Sequence, residues 1–214
     1  YQVDHYVEDL LGVGEQLSQP PVLVGASLGG ITGMLASARA GTAADKGLNK
    51  VDVPPRTHPD GDSRNNEILR RGSDGFASLE EAAEAIASYL PHRKRRSDLR
   101  GLAKTLRRDK EGRYQWHWDP EILEVWDPSL YDQEARAQIV EDRVVAAKQL
   151  SVPTLLIRGR MSDVVSEELA REFLAMVPQA EYVDLEGAAH MVAGDKNDAF
   201  TEAVTGFIQK HFTG

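Results

Sequence analysis

Apolar and polar positions alternate in two rhythms along this chain. At the start, Val3, Tyr6, Val7, Leu10, Leu11 and Leu17 recur at helical spacing, with Asp4, Glu8 and Asp9 between them. This pattern predicts an amphipathic helix over residues 1–17. Pro20-Pro21 stops it. A continuous apolar run, Val22 to Val24, then leads through a glycine-rich turn into the small apolar segment Ile31 to Arg39, which reads as strand, turn and buried helix. The next strand is expected over Leu48 to Val53. Asn49 and Lys50 interrupt its apolar run, so it is read as short, Val51 to Val53, ending at Pro54-Pro55.

From Arg56 to about Asp127 the pattern loses this rhythm and becomes polar. Ser78-Leu79-Glu80-Glu81 has the form of a capping box opening a helix that runs to Tyr89. A second helix is expected over Asp98 to Arg108. Tyr114-Gln115-Trp116-His117-Trp118 forms an aromatic cluster. Further helix is expected from Pro128 to Gln149, with Ile139, Val140, Val144 and Val145 on one stripe. The α/β rhythm then returns. Pro153 to Ile157 reads as a strand, Glu167 to Met176 as a helix, Glu181 to Leu185 as a strand and Phe200 to Phe212 as the closing helix.

Strands alternating with helices predict an α/β fold, a mostly parallel sheet with helices on both faces.

The 214 residues, 41% of them apolar, suffice for one good core plus an insertion. The absence of cysteine removes disulfides, thiolate metal sites and a cysteine nucleophile together. A net charge of -9 argues against a nucleic-acid partner. The run His92-Arg93-Lys94-Arg95-Arg96 is basic, but it stands alone in an acidic chain and reads as a solvated face. No run is long enough to span a bilayer, and no leader is visible. The chain is read as cytoplasmic, without a membrane partner. No metal-ligand spacing and no dinucleotide fingerprint occurs, so neither metal nor cofactor is expected.

The candidate chemistry centres on Gly25-Ala26-Ser27-Leu28-Gly29. A glycine two positions either side of a serine, between a strand and a helix, predicts a sharp turn with the hydroxyl at its tip. A Cβ at Gly25 or Gly29 is expected to collide there. Asp163 and His190 also lie just past the ends of predicted strands, where parallel sheets gather their active residues. A serine needs a base to take its proton, histidine can serve near neutral pH, and the histidine needs a carboxylate to orient it. Ser27 is therefore read as nucleophile, His190 as general base and Asp163 as orienter, with Asp52 at the end of the preceding strand as the rival acid. The N–H of Leu28, at the start of the helix, is read as one oxyanion donor. Trp116 and Trp118 either line a substrate pocket or build the small core of the insertion.

Val-Leu-Val-Gly-Ala-Ser-Leu-Gly-Gly, Pro-Thr-Leu-Leu-Ile-Arg-Gly-Arg-Met-Ser-Asp and Gly-Ala-Ala-His-Met-Val together resemble the α/β-hydrolase superfamily, in its cap-bearing esterase, lactonase and epoxide-hydrolase-like branch. The resemblance covers nearly the whole chain. It implies the α/β-hydrolase fold, with a first core part over 1–55, 56–147 as a helical cap and a second core part over 148–214. A serine at position 27, where the epoxide hydrolases and dehalogenases of the branch resemble enzymes with aspartate, implies acyl transfer: hydrolysis of a carboxylic ester, lactone or thioester. Peracid formation, and a non-catalytic binding protein on the same scaffold, are the alternatives. The family also places several strands and a second oxyanion donor ahead of the elbow strand, and they are absent from this sequence. The expectation is that an N-terminal segment or a second copy in a homodimer completes the sheet.

Overall fold

The computed structural model describes every residue except 59–66, 68, 71, 74, 93–97, 126–130 and 214. The basic run at 93–96 thus lies outside the described residues, as do parts of the insertion. The chain forms two compact units, Tyr1–Gly61 with Asp132–Gly214, and Asp62–Tyr131.

The larger unit is built on four parallel strands. In chain order its first elements are α1 (Val3–Gly14), β1 (Val22–Ala26), α2 (Leu28–Ala40) and β2 (Gly47–Val51). In the smaller unit come α3 (Leu79–Tyr89), α4 (Arg100–Ala103), β3 (Leu106–Arg108), β4 (Tyr114–Trp116) and α5 (Ile122–Val125). The larger unit resumes with α6 (Gln133–Lys148), β5 (Thr154–Gly159), α7 (Glu167–Met176), β6 (Ala180–Leu185), α8 (Val192–Asp195) and α9 (Asn197–Phe212). The sheet order is β1-β2-β5-β6. Gly25 pairs with Lys50, and Lys50 with Leu156, so the C-terminal ends of β1, β2 and β5 lie side by side.

Alternate positions on these strands feed two cores. Leu48 and Leu156 join Met34 of α2, Ala147 of α6 and Phe173 of α7 on one face. Val51, Leu155 and Ile157 join Val192 of α8 and Phe207 of α9 on the other. Every residue of β5 is buried, as a central strand covered on both faces requires. β2 begins and ends earlier than its apolar pattern predicts. Asn49 and Lys50 lie within it and are fully buried, because backbone pairing on both sides holds the strand whatever its side chains. Along β1, by contrast, Val24 is 46% exposed, and among the described residues β1 pairs only with β2.

The helix expected over Asp98 to Arg108 is replaced by the single turn α4 and the strand β3, which pairs antiparallel with β4. Asp109 causes the change. Its Oδ1 accepts the N–H groups of Glu111 and Arg113, both at 2.9 Å, and Gly112 follows with φ 82°, a turn that folds the chain back on itself. In α6, Val144 is buried, whereas Ile139 and Val145 of the expected stripe are exposed. Among the described residues, no helix is long and apolar enough to cross a membrane.

Candidate active site

Ser27 sits between β1 and α2 with φ 48° and ψ -118°. A non-glycine residue in that region costs on the order of 1–3 kcal/mol, and the surrounding backbone holds it there. Its N–H donates to the Val51 carbonyl at 3.2 Å, and its carbonyl accepts from Gly30 and Ile31 at 3.0 and 3.1 Å. The turn is closed by two glycines. A Cβ on Gly25 would stand 2.3 Å from the Gly29 oxygen, and one on Gly30 would stand 2.5 Å from Val53 Cγ1 and 2.8 Å from the Gly25 oxygen. At Gly29 the space is open, so the collision expected there does not occur, and the second close approach belongs to Gly30. Leu28 is the first residue of α2, and the first N–H groups of a helix have no partner within it.

The second strained residue is Asp52. It follows β2 with φ 52° and is wholly buried, its N–H bonded to the Ile157 carbonyl at 2.7 Å. Its carboxylate is the hub of the site. Oδ1 accepts the N–H of Gly159 at 2.9 Å. Oδ2 accepts the hydroxyl of Ser162 at 2.6 Å and lies 2.8 Å from His190 Nδ1. An ionised carboxylate can only accept, so Nδ1 carries the hydrogen and a neutral His190 keeps its lone pair on Nε2.

His190 is carried by the loop after β6. That loop is pressed against the end of β5: the Met161 N–H donates to the Ala188 carbonyl at 2.8 Å, and a Cβ on Gly159 would stand 2.3 Å from the Ala189 oxygen. The Ala189 N–H donates to Asp195 Oδ2 at 2.9 Å, fixing the loop from its other side. The turn after β5 is held by Ser162, whose hydroxyl accepts the N–H groups of Val164 and Val165 at 3.2 and 3.1 Å. Arg158 braces it from below, donating to the Val165 carbonyl at 2.7 Å and to Asp184 at 3.0 Å.

The sequence reading put Asp163 against the histidine. In the structure the carboxylate on His190 Nδ1 is that of Asp52, and Asp163 is exposed in the turn after β5. Both follow the ends of adjacent strands, so strand-end placement alone does not separate them. What decides is the pair of donors, Gly159 and Ser162, that fix the Asp52 carboxylate. Ser162 was not singled out from sequence, although it stands beside Asp163; nor was Gly159, whose signal is a glycine at the very end of an apolar strand.

Trp116 belongs to the core of the smaller unit. It packs with Phe76, Ala82 and Leu106, meets Phe76 edge to face at 5.6 Å and stacks with Trp118 at 6.2 Å. For Trp116 this is the core-building arrangement. Among the described residues, no group of three or more histidine, cysteine, aspartate or glutamate side chains could hold a metal ion.

Residues 1–203 match the family described as the Alpha/beta hydrolase family. The chain is 27% identical over 197 residues to Esterase Rv0045c of Mycobacterium tuberculosis, covering 87% of this chain and 60% of that protein. It is 27% identical over 218 residues to the sn-1-specific diacylglycerol lipase ABHD11 of Mus musculus, covering 94% of this chain and 63% of the relative. The chain thus spans less than two thirds of the length of these curated relatives. Among solved structures, E-2-(acetamidomethylene)succinate hydrolase superposes with a TM-score of 0.81 at 22% identity, over 98% of this chain and 74% of that one.

Proposed function

Because this chain belongs to the alpha/beta hydrolase family, we propose that it carries the nucleophile, base and acid of a serine hydrolase that cleaves carboxylic esters through an acyl-enzyme. The observation that carries the reading is the pairing of His190 with the buried Asp52 carboxylate, in a unit whose elbow holds Ser27 in a strained turn. Relatives named esterase and lipase support an ester as substrate.

In this reading the Ser27 hydroxyl attacks the ester carbonyl carbon while His190 Nε2 takes its proton. Asp52 holds the Nδ1–H and stabilises the imidazolium that results. The charge on the carbonyl oxygen falls towards the N–H of Leu28, where the dipole of α2 also favours it. The imidazolium returns its proton to the departing alcohol, which leaves an acyl ester on Ser27. Water, activated by the same histidine, then releases the acid. The outer edge of β1, with Val24 exposed, is read as the line along which a further strand completes the sheet.

A fluorophosphonate probe tests the proposal. The folded protein should be labelled on Ser27 and should turn over a p-nitrophenyl ester, and Ser27→Ala should do neither. Folded wild-type protein that resists the probe and hydrolyses no ester sinks it.

A further inference from the structure

The Lys50 side chain is wholly buried, with no exposed surface. It lies in the middle of β2, between Gly25 of β1 and Leu156 of β5, and points into the core beneath α2. Its Nζ donates to the sulfur of Met34 at 2.9 Å and stands 4.9 Å from the ring centre of Phe173. A thioether is a weak acceptor, and an aromatic face offers a cation only a modest attraction. Among the described residues no carboxylate meets this amine. An isolated ammonium in such a place is costly enough that the group sheds its proton instead.

We propose that Lys50 is packed as a neutral amine, and that proton uptake by it loosens the α2–β2–α7 layer, making the fold sensitive to falling pH.

The charged groups on the surrounding elements do not relieve it. From α6, Arg143 faces it and repels its charged form. The single charged residue of α2, Arg39, is turned outward to Asp4. On α7, Glu167 pairs with Arg171, Glu172 pairs with Arg56, and Glu168 is exposed. Arg158 of β5 is engaged by Val165 and Asp184. Tyr182 of β6 occupies the same row one strand beyond Leu156, and burial raises the pKa of its hydroxyl. Burial first, and Arg143 second, lower the Lys50 ammonium from 10.5 to about 7.

The sign follows from proton counting. Between about pH 7 and the ordinary lysine value, the unfolded chain binds a proton that the folded chain does not, so stability rises with pH. Below about pH 7 the folded core takes the proton and the penalty is complete. The test compares wild type with Lys50→Met, which keeps the length and apolar character of the stem.

The folding constant of wild type relative to the variant should rise about tenfold per pH unit between about pH 7.5 and pH 9.5. Unfolding wild type near pH 9 should draw about one proton per molecule from solution, and unfolding the variant should draw none from this source. Parallel stability curves for the two proteins overturn the proposal. If Lys50→Met does not fold, wild type decides alone: proton uptake near one supports the proposal, and no uptake overturns it.

Discussion

His190 Nδ1 and Asp52 Oδ2 lie 2.8 Å apart, across 138 residues of sequence and from the ends of two strands that are not neighbours in the sheet. β5 stands between β2 and β6, and it contributes the Gly159 N–H and the Ser162 hydroxyl to the same carboxylate. Three strand ends therefore converge on one acidic group.

Replacing that group without altering its shape is the sharpest test of its role. Asn tolerates the left-handed backbone that Asp52 adopts, so Asp52→Asn should fold. Ester turnover should nonetheless fall by roughly a thousand- to ten-thousand-fold, as the orienting charge and the tautomer are lost. Asp163→Asn should stay within a few-fold of wild type. A kcat measurement on both variants checks the pair, and a reversed result would return the acid to Asp163.

Ser162 holds both the carboxylate and its own turn. In Ser162→Ala the N–H groups of Val164 and Val165 lose the hydroxyl that accepts them and Asp52 loses a donor. An unfolding midpoint should register a loss of about 1–3 kcal/mol. Ester turnover should also drop, and Ser162→Thr should restore part of both.

The glycines of the elbow should respond unequally. Gly25→Ala places a methyl group within 2.3 Å of backbone and should lower stability by about 3 kcal/mol or more, since the strand or the helix must move. Gly29→Ala meets no atom within 4 Å and lies in a helix, where alanine is the better former by about 1 kcal/mol. Thermal unfolding of the two variants should move in opposite directions.

Asp45 gives a second pH signature, opposite in sign to that of Lys50. It is buried, with one oxygen bonded to Ser37 and the other without a hydrogen-bond partner among the described residues, and burial raises its carboxyl from 3.8 to about 6. A raised carboxyl favours folding below its unfolded value, and that contribution is lost as pH rises through about 6. The difference between pH 3.5 and pH 7 should amount to at most about 3 kcal/mol. In Asp45→Asn this segment of the stability curve should flatten, which denaturation across that range will show.

Much of this was legible in the residues themselves. The elbow could be read because a strand, a serine between glycines and a small apolar helix are all local signals. His190 could be read from its place beyond a strand end. The carboxylate that meets His190 could not, because Asp52 and Asp163 satisfy the same local rule and differ only in what β5 brings to them. In the sequence Lys50 reads as a break in a strand. In the fold it is held by pairing to Gly25 and Leu156, and a sheet position can override side-chain preference. The β3–β4 hairpin was hidden for a different reason: Leu106 to Arg108 has no strand pattern of its own, and only the turn at Asp109 and Gly112 marks it.

The open space at Gly29 bears on how such elbows are recognised. The five-residue signature Gly-x-Ser-x-Gly counts Gly29 as its closing letter, yet the contact that demands a missing side chain falls one residue later, at Gly30, against Val53 and Gly25. For this chain the steric fingerprint is Gly-x-Ser-x-x-Gly. A pattern scan built on the shorter spelling weights a position that sterics leave open and ignores one that they fix. It would pass over a relative carrying alanine at the first and glycine at the second, although the turn would close there just as it does here.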